Sequence, residues 1–214
     1  MPTESDGLSG LLLRLSNLAL VATLVKKAQI AVDTIPTGTV NGSDLRGLLI
    51  RSKGLFVAPD ILPGALIPGG ACGGVFMART PNGNDWNGPT FHVLGGVTLG
   101  LQPARPASAI FLLAMTDRGV NSFLSHNVEI EVTTLIGAPG AANDADILGF
   151  VLSEGARSSA SFEGAVITAC EGLNRAVYGP DVTLADNLVR GIPRGIDSAG
   201  LTRALVEAAG PALS

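Results

Sequence analysis

The stretch from Arg51 to Gln102, RSKGLFVAPDILPGALIPGGACGGVFMARTPNGNDWNGPTFHVLGGVTLGLQ, decides which fold the sequence predicts. It holds 11 of the 28 glycines in a chain of 214 residues. Short apolar runs with strand character lie between these glycines, at 55–58, 75–78 and 91–94. Glycine within a strand typically marks a bulge, a tight bend or the close approach of another backbone. The stretch therefore predicts a strongly bent antiparallel sheet or a small β-barrel.

Helical patterns lie on both sides of this sheet. From Ser9 to about Asp33, apolar residues recur at i, i+3 and i+4, as on one face of a helix. A second helix is predicted from Ser43 or Asp44 to Gly54, with Leu45, Leu48 and Leu49 facing inward. Near the C-terminus, the capping-box pattern from Thr183 to Asp186 opens a further helix, and 198–209 predicts a last one.

The order of these elements indicates an α+β fold, with terminal helices packed on the sheet. Residues 1–7 are predicted to be a flexible tail before a single domain at 8–214. That domain divides into N-terminal helices (8–54), a β-rich core (55–170) and a C-terminal helical segment (183–210).

Later strands are predicted from two kinds of pattern. The run Ala109–Met115 is continuously apolar, which indicates a strand buried on both faces. The run Val128–Leu135 alternates, with Glu129 and Glu131 opposite the apolar positions, which indicates a strand with one solvated face. Further strands are predicted at 146–152 and 159–168, and a turn or short helix at 117–124.

Composition narrows the function classes. Apolar residues make up 46% of the chain, and charged residues only 15%, against about 25% in a typical soluble domain. Such a chain exposes more apolar surface than usual, which suits an oligomer, a lipid-binding protein or a membrane-surface protein. The net charge is −4 and no basic block occurs, so nucleic-acid binding is not expected.

The N-terminal apolar run is ambiguous as a targeting segment. Residues 11–25 are interrupted by Arg14, Ser16 and Asn17, and acidic residues precede the run where a secretory signal carries basic ones. No uninterrupted run reaches the ~20 apolar residues of a membrane-spanning helix. The expected location is the cytoplasm or a membrane periphery, or the cell envelope if a signal has been removed.

No residue set predicts catalysis, and no cofactor is expected. The run Gly69–Gly74 lacks the Lys-Ser/Thr of a phosphate-binding loop and the full context of a dinucleotide fold. Cys72 with His92 or His126 has no orienting motif that would make a nucleophile and base. Cys72 and Cys170 fit no zinc spacing, and we expect two buried free thiols.

A weak calcium pattern is present after the alternating strand. Asn143, Asp144 and Asp146 place oxygen ligands at a spacing that matches a fragment of an EF-hand loop. The fragment lacks the glycine of the sharp turn and the distal bidentate glutamate. A solvated turn is the favoured interpretation.

Residues for membrane binding are suggested instead. Arg14, Lys26, Lys27 and Arg46 are basic residues of the helical N-terminal region, and with its apolar faces they could bind an anionic membrane. A solvated helix face is the alternative. Trp86 lies in a polar loop between two strands, where it either anchors the loop to the core or contacts a membrane or ligand.

Several motifs in order resemble the SYLF domain family over about residues 44–188. They are KGLFVAP at 53–59, Gly69-Gly70, GVFMAR at 74–79, WNGPTF at 86–91, Gly95-Gly96, Gly100-Leu-Gln102, MTDRG at 115–119, SFEG at 161–164 and NRAVYG at 174–179. The chain resembles a bacterial, single-domain member. The resemblance implies a non-enzymatic, lipid-binding domain whose partner is a phospholipid or membrane surface.

Three positions depart from the pattern of this family. The usual Lys-Gly-Gly-like step is Pro63-Gly-Ala65 here, and Ala109 stands where the family commonly has an aspartate before the buried strand. Glu129 and Glu131 stand where lysines are usual, which weakens anionic-lipid binding through that face. Eukaryotic members include actin binders, but nothing in this sequence predicts actin binding. The alternative function is a structural or interaction protein that forms a homo-oligomer through its apolar N-terminal helix.

Overall fold

The computed structural model describes residues 4–35, 39–40, 43–59, 72–83, 85–96, 98–100, 108–134, 145–153, 159–191 and 196–209. The helices are α1 (Glu4–Val32), α2 (Leu45–Arg51), α3 (Asp117–Ser122), α4 (Glu171–Tyr178), α5 (Leu184–Leu188) and α6 (Ala199–Ala209). The strands are β1 (Thr39–Val40), β2 (Ser43–Asp44), β3 (Gly54–Ala58), β4 (Cys72–Arg79), β5 (Trp86–Gly95), β6 (Thr98–Gly100), β7 (Ser108–Ala114), β8 (Asn127–Glu129), β9 (Thr133–Thr134), β10 (Ile147–Ser153), β11 (Ser159–Ser161) and β12 (Val166–Ala169).

Seven strands form one strongly curled antiparallel sheet in the order β8-β12-β5-β4-β3-β7-β10. The two-residue strand β9 adds to the β10 edge in parallel orientation. One short segment, 127–134, pairs with β12 through β8 and with β10 through β9, so it contacts both edges of the sheet. The sheet is therefore a half-barrel whose open side is bridged by this segment, and the predicted α+β class with a bent sheet is confirmed.

The two faces of the sheet bury different residue sets, as the period-2 alternation of strands requires. On the concave face, Phe56, Phe76 and Leu112 form a core with Phe123, which follows α3. The Phe76 and Phe123 rings are stacked with centroids 3.9 Å apart. On the convex face, Leu55, Met77 and other strand residues pack against helices α1, α2, α4 and α6. The strand β7 is buried on both faces, as its continuous apolar run predicts.

Glycines make room for aromatic rings on the concave face. A Cβ on Gly74 would lie 2.3 Å from Phe56 Cζ, and one on Gly54 would lie 2.5 Å from Phe76 Cζ. Each phenylalanine therefore lies over a glycine of the neighbouring strand. For Gly74, close approach is one of the roles that the sequence suggests for a glycine within a strand. The prediction that Gly54 ends the second helix is wrong, because α2 ends at Arg51 and Gly54 begins β3.

Several predicted boundaries are wrong. Helix α1 begins at Glu4, so it includes part of the predicted tail. The strand predicted at Val128–Leu135 is broken at 130–132, because the chain leaves the β12 edge there and crosses to β10. The strand predicted at 159–168 is two strands separated by a turn, β11 and β12. Helix α4 has no counterpart in the prediction.

The C-terminal predictions agree better with the structure. Thr183 caps α5 through its hydroxyl, and the Asp186 carboxylate accepts from the Thr183 backbone N–H, which completes the capping box. Leu45, Leu48 and Leu49 of α2 are buried as predicted. The segment Pro63–Ala65 and the run Gly69–Gly70 lie outside the described residues.

Candidate functional site

Helix α1 is divided into a docked half and a free half. From Val21 onward, Val25, Ala28 and Val32 are buried every third or fourth residue, and this face packs on the convex side of the sheet and against α6. From Gly10 to Ser16, every residue is exposed. We call residues 21–32 the docked half, which fixes the helix to the domain, and residues 10–20 the free half. All side chains of the free half are exposed except those of Asn17 and Leu18, which are partly covered.

The free half exposes a dense set of leucines. Six of the eight exposed large hydrophobic residues in the described part of the chain belong to α1, namely Leu11, Leu12, Leu13, Leu15, Leu20 and Ile30. The first five are 54–65% exposed. The apolar face that the spacing predicts for α1 is therefore exposed at Leu11, Leu12 and Leu15, although Arg14 and Asn17 contact α4.

Few polar contacts hold the free half to the domain. The Arg14 Nε donates to the carbonyl of Ala176, in the last turn of α4, at 3.3 Å. The Asn17 amide donates to the Gly172 carbonyl at 3.5 Å, the long limit of a hydrogen bond. A cation near the carbonyl end of a helix is electrostatically favourable. Arg14 therefore has a structural role in addition to any role at a membrane.

By length and composition, the stretch Gly10–Val32 could cross a membrane, although the sequence has no uninterrupted apolar run of that length. Signal sequences and core helices of soluble proteins share these two properties. Only 22% of the residues in its most apolar window are buried. The stretch thus differs from a soluble core helix, which is mostly buried.

The predicted basic residues lie on two helices, three on α1 and one on α2. Lys26 and Lys27 lie about 18 Å along the helix axis from Arg14, at a rise of 1.5 Å per residue. The Lys26 Nζ donates to the Gln29 Oε1 at 3.1 Å. Arg46 is exposed on α2. Arg14 is therefore well separated from the two lysines along α1, and the membrane role of all four cations remains a prediction.

Trp86 is a core residue at the start of β5. It is 5% exposed, and the Arg79 guanidinium carbon lies 4.6 Å from the centroid of its ring. Such cation–π contacts between arginine and tryptophan are attractive. The position agrees with the loop-anchor interpretation, and it leaves little indole surface for a membrane in this conformation.

Asp146 is occupied by protein partners. It accepts hydrogen bonds from the Thr116 hydroxyl and, at 2.6 Å, from the Arg118 Nε. These contacts, that of Thr116 first, lower the pKa of Asp146 below its usual value. Asn143 and Asp144 lie outside the described residues. No group of three metal-ligating side chains occurs in the described part of the chain, so Asp146 gives no support to the calcium interpretation.

Three of the four histidine and cysteine side chains are described, namely His92, His126 and Cys170. His92 is fully buried beside Phe76 and Phe123, and burial lowers its pKa to about 3. His126 is exposed, with its Nδ1 3.5 Å from the Glu171 carboxylate. Cys170 is a free, half-buried thiol, whereas the side chain of Cys72 lies outside the description. His92 is therefore a neutral core residue.

Comparison with known families agrees with the sequence resemblance. A family model described as Ysc84, Las17-binding protein actin regulator, matches residues 95–208, more than half of the chain. The chain belongs to the Ysc84 (SYLF) family. The match to Ysc84 runs from the end of β5 to α6, and it does not extend to α1 or to the KGLFVAP, GVFMAR and WNGPTF motifs. No curated protein and no solved structure matches the chain.

The sequence contained a signal for the free half of α1. Leu13 and Leu20 fall on the side opposite the predicted apolar face, which they share with Arg14, Ser16 and Asn17, so the segment is more apolar than a simple surface helix. Apolar surface beyond one face of a helix is typical of a segment covered by protein or by a membrane. The structure does not enclose residues 10–16.

Proposed function

We propose that this Ysc84-family domain is a non-catalytic, membrane-associating module that attaches to anionic phospholipid surfaces through the free half of α1. The observation that carries the proposal is the cluster of half-exposed leucines between Leu11 and Leu20. Exposed apolar clusters of this density mark interaction or membrane sites. Membership of the family supports the same class of role.

The dimensions of the free half favour insertion into one leaflet. Eleven residues, Gly10–Leu20, span about 16 Å as a helix, about half of the ~30 Å hydrocarbon core of a bilayer. The following residues are held against the sheet by Val21, Val25, Ala28 and Val32. The docked half can thus stay folded on the domain while the leucines enter the lipid.

Basic residues on and beside this helix support an anionic surface, and the exposed Asp33 and Glu207 partly offset their charge. Arg14, Lys26 and Lys27 lie on α1, and Arg203 is an exposed residue of α6, which packs on it. Each cation near an anionic membrane contributes about 1 kcal/mol. Because the whole chain carries −4, the attraction depends on this local distribution and should weaken with salt.

Co-sedimentation with vesicles tests the proposal. We expect the full chain to sediment with phosphatidylcholine vesicles that contain phosphatidylglycerol, and more weakly with phosphatidylcholine alone. Failure to bind either kind of vesicle would contradict it. Light scattering in the absence of lipid tests the rival role, because a homo-oligomer built on the same leucines would dissociate when they are made polar.

The family description names an actin regulator, so actin is a second candidate partner. We propose that actin is not a partner of this chain, since no described feature favours it. Co-sedimentation with filamentous actin checks this, and a saturable pellet fraction would contradict it.

A further inference from the structure

A cleft at one end of the sheet, with no described lining residue on α1, has the properties of a ligand site. It lies where α2 leads into β3, and the β4–β5 turn, α3 and the end of α5 complete its walls. Its volume is about 640 Å³, within the range of small-molecule sites. The residues that define it here are Arg51, Lys53, Arg79, Val120, Leu188 and Val189.

The walls of this cleft carry an excess of positive charge. Asp117 is the one carboxylate among its described lining residues, and it pairs with the Lys53 Nζ at 2.8 Å. Both partners are strongly exposed, and an exposed pair of this kind is weak enough to exchange for a ligand. Arg51 is exposed and has no ion-pair or hydrogen-bond partner in the described part of the chain.

Arg79 adds a fixed charge to the cleft. Its guanidinium donates to three backbone carbonyls, those of Leu49, Ser52 and Gly83, at 2.9–3.0 Å. These acceptors orient the side chain but carry no net charge. The cleft therefore holds three cations against one carboxylate, in a chain whose net charge is −4.

One wall of the cleft is apolar. Val189 is 51% exposed, and it is one of two exposed large hydrophobic residues outside α1 in the described residues. Val120 and the buried Leu188 continue this wall. A ligand that satisfied both parts of the cleft would have an apolar chain and an anionic head.

We propose that the cleft binds a single-chain amphiphile with an anionic head, such as a fatty-acid carboxylate. The chain would lie on Val120, Leu188 and Val189, and the head would accept hydrogen bonds from Arg51 and Lys53. This site is separate from the proposed membrane contact of α1 and does not depend on it.

Titration with decanoate below its micellar concentration tests the site. Trp86 is the single tryptophan of the chain and contacts Arg79, so its fluorescence reports on the cleft; calorimetry supplies a second readout. We expect saturable binding of decanoate and far weaker binding of decanol and of acetate. The Arg51→Glu and Val189→Asp substitutions should each weaken binding about tenfold or more, the order of one charged hydrogen bond or one lost apolar contact.

Matched controls are available on α6. Arg203→Glu and Val206→Asp change an exposed arginine and an exposed valine outside the cleft, and they should leave decanoate binding unchanged. Thermal melts confirm that all four variants fold. No saturable decanoate signal by either readout, or equal binding by the cleft and control variants, would overturn the proposal.

Vesicle assays show whether the anionic head that Arg51 binds belongs to a free amphiphile in the cleft or to a phospholipid of a membrane. Wild-type and Arg51→Glu proteins should bind anionic vesicles equally, whereas Leu12→Gln/Leu13→Gln should weaken vesicle binding strongly and leave decanoate binding intact. If Arg51→Glu abolished vesicle binding and decanoate did not bind, Arg51 would belong to the membrane surface and the cleft proposal would be wrong.

Discussion

Replacing two leucines of the free half of α1 gives the sharpest test of membrane attachment. In the double variant Leu12→Gln/Leu13→Gln, both side chains keep a similar length and good helix propensity but become polar. Leu12 and Leu13 are 56% and 65% exposed, so a membrane has more than half of each side chain left to bury. We expect this change to reduce vesicle binding without unfolding the domain.

The magnitude follows from the exposed fractions. Complete burial of a leucine stabilises by about 2 kcal/mol, so the two exposed fractions together contribute about 2.4 kcal/mol. Since 1.4 kcal/mol is a factor of ten in affinity, the double variant should bind anionic vesicles about fifty-fold more weakly. The midpoint of thermal unfolding should change little, because surface changes away from packed contacts have small effects.

Vesicle titration followed by sedimentation measures this loss, with Val206→Gln on α6 as the control. Val206 is an exposed hydrophobic residue, 37% exposed, on another helix. Equal affinities of the double variant and wild type would refute membrane attachment by this segment. A change of mass in lipid-free solution, with vesicle binding retained, would instead assign the leucines to self-association.

Three further predictions concern the domain core and its charges. Gly74→Ala should destabilise the domain by about 1–3 kcal/mol or more, because its Cβ would overlap the Phe56 ring and the Val57 carbonyl; denaturant unfolding checks this, and an unchanged midpoint would contradict the close packing. His92 titrates at about pH 3 when folded and at about 6.5 when unfolded. The unfolded state thus binds more protons below pH 6.5, and stability should fall by about 2 kcal/mol between pH 7 and 5. His92→Leu should remove this part of the slope, and identical slopes would contradict it. The pKa of Asp146 is lower in the folded state than in the unfolded state. The ionised carboxylate therefore stabilises the fold at pH values above the unfolded-state pKa, and this stabilisation is lost as the pH falls through the folded-state pKa. Asp146→Asn should therefore lower the melting temperature at pH 7 but not in acid; a constant difference would count against the Thr116 and Arg118 contacts as its cause.

Local signals predicted the sheet and the capped helix correctly because each is encoded within a few residues. The run Ala109–Met115 has no polar face, which requires burial on both sides, and β7 lies between β3 and β10. The glycine at 74 indicated a bulge, a bend or a close approach, and it faces the Phe56 ring of the adjacent strand. The hydroxyl and carboxylate of the 183–186 motif form the capping box.

The sequence predictions failed where the structure of a segment depends on which distant part of the chain packs beside it. The alternation at Val128–Leu135 is real, since Ile130 is buried and Glu129 is exposed. The segment changes partner strand halfway, and no local pattern records which strand lies beside it. Helix α4 was detectable, because Gly179-Pro180 ends it and Glu171 and Arg175 form an i,i+4 pair.

The cleft was beyond sequence reasoning. Arg51 and Val189 are 138 positions apart, and the two residues line one cleft only after the sheet curls. The family motifs KGLFVAP and GVFMAR contain Lys53 and Arg79, but their order says nothing about a shared wall. A short apolar residue such as Val189 carries no signal that distinguishes a cleft wall from an ordinary helix C-cap.

The division of α1 constrains how the domain would sit on a membrane. The docked half buries Val21, Val25, Ala28 and Val32. Complete burial of each of the three valines contributes about 1.5–3 kcal/mol to the stability of the docked helix. Undocking the whole helix to span a bilayer would expose this surface together with the sheet face beneath it. Insertion of the free half puts at risk the Arg14 and Asn17 contacts with α4 and the packing of the partly buried Leu18. The lower cost favours shallow attachment, with the folded sheet held close to the head groups.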